Sequence, residues 1–260
     1  MNDGQINNGD IDNVKRGRRW KEGVSLPSDY KTVFLENNLQ HGSVTDKVYY
    51  ELRHLILNDI IPPGSWLRQD ELTSQLGVSK TPVREALRSL HRQGMIEFVP
   101  NYGARVPNLS IEEFEEIYSF RKGIEGLAAR RGVQKLSFEK LDTLRSKYNA
   151  LIPLAENSSL SDYLKEEWNF RYWLYKVGER KQSPFLLLQI RELRERAERY
   201  LRYAYTIEGA TKVSLEFHHE LLLACEKGDP ASAEVIVQNA LNWTLEKAGP
   251  IIENRLRQLD

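Results

Sequence analysis

The sequence has a single cysteine, Cys225, among its 260 residues. An intramolecular disulfide and a CxxC metal knuckle both need at least two cysteines, so both are excluded. Cys225 follows the apolar run 221–224, and in that setting we expect a small buried hydrophobic side chain rather than a reactive thiol.

Net charge and long apolar runs are also lacking. Lysine and arginine together number 37, and so do aspartate and glutamate, which gives a formal net charge of zero. The total charge therefore indicates no nucleic-acid partner, although a local basic surface remains compatible with one. No apolar run reaches the ~18 residues of a transmembrane helix, and the first residues lack the basic-then-apolar order of a secretory signal. We expect a cytoplasmic protein with no membrane partner.

The motifs of common enzyme classes are missing as well. There is no GxSxG, no glycine-rich phosphate loop, no HExxH and no cysteine–histidine pair in a motif context. We therefore expect a protein that is not an enzyme.

Residues 1–41 are rich in Asn, Asp and Gly and lack a periodic apolar pattern, which predicts a disordered polar tail. Within it, residues 15–21 form a basic cluster around one tryptophan. This cluster could be an arm that contacts DNA phosphate or a minor groove, or it could be a solvated tail.

Residues 42–108 show the element order of a winged helix-turn-helix. An apolar face from Val44 to Ile56 predicts a first helix, and Trp66-Leu67 predicts a short strand. Residues 69–76 predict a second helix stopped by Gly77, and a third follows with Ser79 or Thr81 as its cap and Pro82 in its first turn. Two short strands around residues 101–103 then predict a hairpin wing.

From Ser110 onward the pattern is helical for about 150 residues. We predict helices at roughly 111–132, 137–155, 160–178, 184–206, 212–227 and 230–257, separated by glycines and prolines that include Gly132 and Pro153. The expected fold is therefore mainly α. A winged helix-turn-helix domain at 42–108 would precede an all-α helical bundle at 109–260 that binds an effector and dimerises.

Five segments carry a resemblance to a known family. Residues 63–67 (PGSWL), 78–87 (VSKTPVREAL) and 94–96 (GMI) resemble the DNA-binding domain of the GntR family of bacterial transcription regulators. Residues 121–125 (RKGIE) and 218–229 (HHELLLACEKGD) resemble the FCD ligand-binding domain of the FadR-type subfamily. The resemblance covers about residues 42–250. It implies a homodimer that binds a double-stranded DNA operator as a repressor or activator and senses a small metabolite, often a carboxylate.

The resemblance also implies DNA contacts from Lys80, Thr81 and Arg84, and a close approach of Gly103 at the tip of the wing. Lys80 stands where an arginine is usual, and it keeps the charge but not the fork that suits guanine. Asp70 occupies a position where related proteins often carry arginine, so we transfer no contact to it. Our complete set of candidate DNA-binding residues is Ser79, Lys80, Thr81, Arg84, Arg88, Asn101 and Gly103.

Many FCD domains bind a divalent metal, and alignment places the ligand positions on Glu167, Arg171, His218 and Ala240. Arginine is permanently charged and alanine has no lone pair to offer, so two candidate ligands remain. We expect no native metal site and no cofactor, although a metal-dependent FCD regulator remains an alternative.

The same helices carry charges on otherwise apolar faces. Glu167 and Arg171 interrupt one apolar line, and Arg121 and His218 each lie on another. Because buried ions need partners, we predict an effector pocket for a small anion formed by Arg121, Glu167, Arg171 and His218. Alternatively, Glu167 and Arg171 simply pair with each other at i,i+4 spacing. A DNA-binding dimer with no small-molecule effector is then the remaining possibility.

Overall fold

The computed structural model describes residues 42–157, 159–180 and 182–257. The predicted tail at 1–41, with its basic cluster at 15–21, lies outside the described residues. The chain divides into two compact units, the first ending at Asn108 and the second beginning at Leu109. The predicted fold class is confirmed: helices dominate, and the first unit carries a small three-stranded sheet.

The first unit contains three helices and three short strands. In chain order these are α1 (Val44–Leu57), β1 (Trp66–Leu67), α2 (Gln69–Leu76), α3 (Lys80–Arg92), β2 (Glu97–Val99) and β3 (Gly103–Arg105). The strands are antiparallel in the order β1-β3-β2, so β3 lies in the centre and β2–β3 forms the hairpin wing. A buried apolar core, which includes Leu52, Leu72, Leu87 and Ala104, joins the helices to the sheet.

The turn between α2 and α3 follows the prediction with one correction. Gly77 adopts φ 67°, and its N–H donates to the Thr73 carbonyl, which ends α2. Ser79 occupies the N-cap of α3, but its hydroxyl makes no capping hydrogen bond, and Thr81 already lies inside the helix. Ser79 is therefore the cap residue, one of the two predicted, but without the side-chain hydrogen bond that favours serine at this position. Pro82 is buried in the first turn of α3, where its missing N–H donor is not needed and its fixed φ favours the helical conformation.

The second unit is an all-α bundle. Its helices are α4 (Ile111–Val133), α5 (Phe138–Asn157), α6 (Leu160–Val177), α7 (Phe185–Ala204), α8 (Ala210–Glu226) and α9 (Pro230–Arg257). The long α4 packs against α6, α7 and α9, and a single apolar core runs through the bundle. Within the described ranges, none of the helices is long and apolar enough to cross a membrane.

Gly132 and Pro153, which were expected among the residues that separate the helices, both lie inside helices. Gly132 is in the last turn of α4, and a Cβ there would overlap the backbone carbonyl of Leu174, so this glycine permits close packing against α6. Helix α5 continues through Pro153 to Asn157, with Leu151 and Leu154 on either side packed on the core. Tertiary packing therefore outweighs the local preference at both positions.

Candidate nucleic-acid interface and ligand pocket

Helix α3 of the first unit separates cleanly into a buried face and an exposed face. Val83, Ala86, Leu87 and Leu90 are completely buried, which directs Arg84 and Arg88 toward solvent. All of the predicted DNA-binding residues are exposed: Ser79, Lys80, Thr81, Arg84 and Arg88 on or next to α3, and Asn101 and Gly103 in the wing. Their contacts with DNA remain predictions.

The start of α3 offers donors as well as cationic side chains. Because no side chain caps the helix, its first backbone N–H groups are not occupied by Ser79. Such a helix end attracts a phosphate through its N–H groups and its dipole. Lys80 and Thr81 are exposed at this same end, so a phosphate bound there would meet both kinds of group.

Acidic side chains accompany the cations of this surface. The Nζ of Lys80 lies 2.7 Å from Oδ1 of Asp70 on α2. Glu85 lies between two arginines, with Oε1 3.6 Å from Nε of Arg84 and 3.1 Å from Nη1 of Arg88. The exposed face of α3 still carries an excess of positive charge, because Lys80, Arg84, Arg88 and Arg92 outnumber Glu85 and Asp70.

The wing has the backbone that its sequence predicted. Asn101 and Gly103 adopt φ 65° and 111°, the left-handed conformations of a tight hairpin turn. A Cβ at Gly103 would meet nothing within 4 Å, so its backbone is open to a partner surface. Behind the tip, Arg105 forms a 2.8 Å hydrogen bond with Glu97 and stacks over Trp66, which fixes the wing.

In the second unit, the four predicted effector residues lie around one pocket. The space between these residues, counted together with the open solvent at its mouth, is about 390 Å³. Helices α4, α6, α7, α8 and α9 all contribute to its wall, and the lining residues beyond the predicted four are Tyr118, Leu201, Tyr205, Ser214, Phe217, Ala240, Leu241, Trp243 and Thr244. A mixed apolar and polar wall of this kind is typical of small-ligand sites.

Arg121 on α4 is the most informative of the four. It is fully buried, and its Nε donates to Oε1 of Glu125 at 2.6 Å. Its Nη1 and Nη2 atoms are buried without a hydrogen-bond partner, and its guanidinium lies 4.8 Å from the Tyr118 ring centre. Burial is the largest influence on the pKa of Arg121 and lowers it, but the charge and hydrogen bond of Glu125 together with Tyr118 outweigh burial, so the pKa is raised. A charged guanidinium in the pocket wall thus has two Nη atoms without hydrogen-bond partners.

Glu125 holds this arrangement together and was missed by the sequence reasoning. One carboxylate oxygen accepts from Arg121, and the other accepts from Nη1 of Arg171 at 2.9 Å and from the Tyr175 hydroxyl at 3.1 Å. The carboxylate is completely buried, so it acts through these side chains rather than on solvent. Its i,i+4 spacing from Arg121 was the available signal in the sequence.

Glu167 and Arg171 pair across one turn of α6, as one interpretation of the sequence expected, and both also line the pocket. Arg171 Nε lies 2.6 Å from Glu167 Oε1 in an ion pair that is not a well-aligned hydrogen bond. Nε2 of His218 is 3.2 Å from the same oxygen, and its Nδ1 faces the Ser214 carbonyl. Burial raises the pKa of Glu167, but Arg171 and His218 outweigh burial and lower it.

The charges around the pocket do not cancel. Arg194 on α7 is also buried and influences both Tyr118 and Glu167 electrostatically. Three buried arginines, at 121, 171 and 194, and two buried carboxylates, at 125 and 167, leave one positive charge in excess among these five side chains, although Arg194 lies outside the pocket wall. A buried excess charge favours a bound anion.

A divalent metal does not fit these residues. Glu167 and His218 supply donors, but the Arg171 guanidinium already occupies the Glu167 carboxylate, and Ala240 in the pocket wall has no donor. Among residues 42–157, 159–180 and 182–257, no three His, Cys, Asp or Glu side chains come together as ligands. A stable site needs three or four ligands around the ion.

Comparison with known proteins places both units in described families. A profile for "Bacterial regulatory proteins, gntR family" matches residues 44–106, and a profile for the "FCD domain" matches residues 116–242. The chain is 28% identical over 208 residues to the HTH-type transcriptional regulator McbR of Escherichia coli K12, covering 77% of this chain and 93% of that protein. It is 24% identical over 191 residues to the HTH-type transcriptional repressor RspR of the same strain, covering 74% and 82%.

The structural comparison agrees with the sequence matches. The solved structure of Escherichia coli McbR/YncC superposes with a TM-score of 0.63 at 25% identity, covering 83% of this chain and 100% of that one. The residues with the family motifs form the exposed α3 and the wing, and the helical bundle corresponds to the FCD domain. The chain belongs to the GntR family of bacterial regulatory proteins, carries an FCD domain, and is a DNA-binding transcription regulator.

Proposed function

We propose that this regulator binds its operator as a homodimer in the cytoplasm and that a small organic anion, held by Arg121, controls the binding. The observation that carries the ligand part is the buried guanidinium whose Nη1 and Nη2 atoms lack partners beside a pocket. Leaving such donors unpaired is unfavourable by roughly 1–3 kcal/mol per group. A ligand that accepts from both removes this penalty when it binds.

Dimerisation follows from the size of the DNA-binding unit. One short recognition helix and a wing contact only one half-site, whereas two copies on half-sites about one helical turn apart multiply the specificity. The anion then acts by binding one arrangement of the two recognition helices more tightly than the other, since only differential affinity can shift such an equilibrium.

The DNA-binding half of the proposal is tested with an operator obtained by selection from random double-stranded DNA. We expect Arg84→Ala to weaken operator binding by about 1–3 kcal/mol, roughly 5- to 150-fold, because Arg84 is exposed near the start of α3. Arg92→Ala is the matched control, since it removes the same charge from the other end of the same helix. Equal losses in the two variants would refute the assigned contact surface.

The chemistry of the pocket indicates a carboxylate. The planar fork of arginine matches two carboxylate oxygens, and a bidentate pair of this kind is among the strongest hydrogen-bonded contacts in proteins. One positive charge in excess favours a monoanion, since a second negative charge would have no cation to neutralise it. Leu201, Phe217, Leu241 and Trp243 in the wall favour a short apolar chain next to the carboxylate.

Two further unpaired atoms favour a second polar group on the ligand. Oε2 of Glu167 and the hydroxyl of Tyr118 are buried without hydrogen-bond partners, and both residues line the pocket. Glu167 has a lowered pKa despite its burial, so at neutral pH this oxygen can only accept a hydrogen bond. We therefore propose a small monocarboxylic acid that also carries a hydroxyl or ammonium donor.

Thermal unfolding in the presence of butyrate, 2-hydroxybutyrate and 3-hydroxybutyrate tests the ligand class. A ligand that binds only the native state raises the melting temperature, and we expect a hydroxy acid to raise it more than butyrate does. Arg121→Lys keeps a charge beside Glu125 but removes the fork, so it should abolish most of the shift. Arg130→Lys, at an exposed position of the same helix, should retain the shift.

A failure of all small acids to stabilise the protein would refute the effector proposal. It would leave the DNA-binding half of the function standing, as a DNA-binding dimer without an effector. Stoichiometric zinc or nickel in protein purified without chelator would instead contradict direct recognition by Arg121 and favour a metal-dependent FCD regulator.

A further inference from the structure

We infer that Asp70 is a specificity-determining residue of the DNA interface, acting through its ion pair with Lys80. This inference rests on the proposed DNA-binding surface and extends it to a residue to which the sequence comparison assigned no contact. Asp70 is the second residue of α2, and Lys80 is the first residue of α3. The turn between the two helices brings the Lys80 ammonium within 2.7 Å of the Asp70 carboxylate.

The pair is positioned for recognition rather than for folding. Its side chains are 70% and 78% exposed, and an ion pair so exposed contributes little to stability. It lies at the start of α3, the part of a recognition helix that contacts base edges in helix-turn-helix proteins. A negative charge at this position repels the phosphate backbone. Asp70 beside Lys80 therefore does not contribute to the general attraction to DNA.

On non-specific DNA the pair reduces binding. Whether Lys80 leaves Asp70 to reach a phosphate or contacts both, the Asp70 carboxylate is brought close to the negative backbone and repels it. The gain from one lysine–phosphate contact is thereby offset. Removing the Asp70 charge would make one additional cation available, which corresponds to about 0.9 in the slope of log K against log salt.

On a matching base pair both members of the pair find partners. In the major groove guanine presents the O6 and N7 acceptors, and the paired cytosine presents the N4 amino donor beside them. Lys80 can donate to the guanine while Asp70 accepts from the cytosine. Neither charge is left unpaired, so a G·C pair is accepted at this position and other contexts are penalised.

The acidic residue next to Asp70 offers a matched comparison. Glu71 is also on α2, but it pairs with Arg68 at 3.3 Å and not with a residue of α3. Glu71→Gln removes the same unit of charge one residue away and leaves Lys80 paired. Any effect of Asp70→Asn beyond that of Glu71→Gln therefore belongs to the Asp70–Lys80 pair.

The experiment measures affinities of wild type, Asp70→Asn and Glu71→Gln for the selected operator and for random DNA across a series of salt concentrations. For Asp70→Asn on random DNA we expect a slope steeper by about 0.9, equivalent to roughly eightfold tighter binding at 0.1 M salt. The ratio of operator affinity to random-DNA affinity should fall by a similar factor. It should stay within about twofold of wild type in Glu71→Gln, because this change leaves the Asp70–Lys80 pair intact.

Substitution of each base pair of the operator in turn completes the test. Wild type should discriminate at one G·C pair of each half-site where Asp70→Asn does not. An unchanged affinity ratio in Asp70→Asn, or an equal change in Glu71→Gln, overturns the inference while the regulator still binds its operator. Failure of the wild-type protein to select any operator would instead refute the proposed function, so the two outcomes are distinct.

Discussion

Replacing Glu125 with glutamine is the most direct perturbation of the buried charge cluster. The carboxylate accepts from Arg121 at 2.6 Å, from Arg171 at 2.9 Å and from Tyr175 at 3.1 Å, and it is completely buried. Glutamine keeps the shape but removes the charge, and its amide nitrogen then faces groups that are themselves donors. Two buried guanidiniums lose the carboxylate they share.

The size of the effect follows from the burial of all these groups. Breaking a buried ion pair by removing one member typically destabilises a protein by about 3–5 kcal/mol, because the remaining charge is left uncompensated. A domain of this size loses roughly 2–4 °C of melting temperature per kcal/mol. We therefore expect Glu125→Gln to lower the melting temperature of the helical unit by roughly 6–20 °C.

Calorimetric and urea unfolding of wild type, Glu125→Gln and Glu234→Gln would measure this loss of stability. Glu234 also joins two helices, through a 2.8 Å contact with Arg130, but the arginine side chain there is 48% exposed. We expect less than about 1 kcal/mol from that control. If Glu125→Gln were no more destabilising than Glu234→Gln, the interpretation that the Glu125 carboxylate compensates two buried guanidiniums would be wrong.

Two further predictions concern packing and pH. Gly132→Ala should destabilise the helical unit by more than about 2 kcal/mol, because the new Cβ would overlap Leu174. Gly123→Ala, in the open part of α4, should instead stabilise it by roughly 0.5–1 kcal/mol. Urea unfolding of both variants measures the difference. Since the pKa of Glu167 is lowered from its ordinary 4.5, its contribution to stability is present above about that pH and is lost as the pH falls through the lowered value. Glu167→Gln should therefore flatten the acid side of the stability–pH curve, and an unchanged acid limb would contradict the ionised pair.

Much of the pocket could be predicted because charges on apolar helix faces are conspicuous. Arg121, Glu167, Arg171 and His218 each interrupt an otherwise apolar line, and the fold brings all four to one cavity. Glu125 escaped because its partner Arg171 is 46 residues away and becomes one only when α4 packs on α6. The four-residue spacing from Arg121 is compatible with a contact, but it does not indicate that the carboxylate is shared with Arg171.

Contacts that depend on the distance between two helices could not be predicted from the sequence patterns. The Asp70–Lys80 pair exists because the turn at Gly77 brings the start of α2 next to the start of α3. Gly132 has the local signature of a helix end, yet its role is set by a neighbouring backbone. Local signals locate helices and turns well, whereas contacts between elements require the assembled structure.

Control of DNA binding by the pocket is tested by operator titrations with and without the most stabilising hydroxy acid, carried out on wild type and Arg121→Lys. We expect the acid to shift the operator affinity of wild type by at least about fivefold, in the range typical of allosteric coupling. We expect Arg121→Lys to bind the operator with little response to the acid. An equal response in both proteins, or none in wild type, would contradict control of DNA binding through the buried guanidinium.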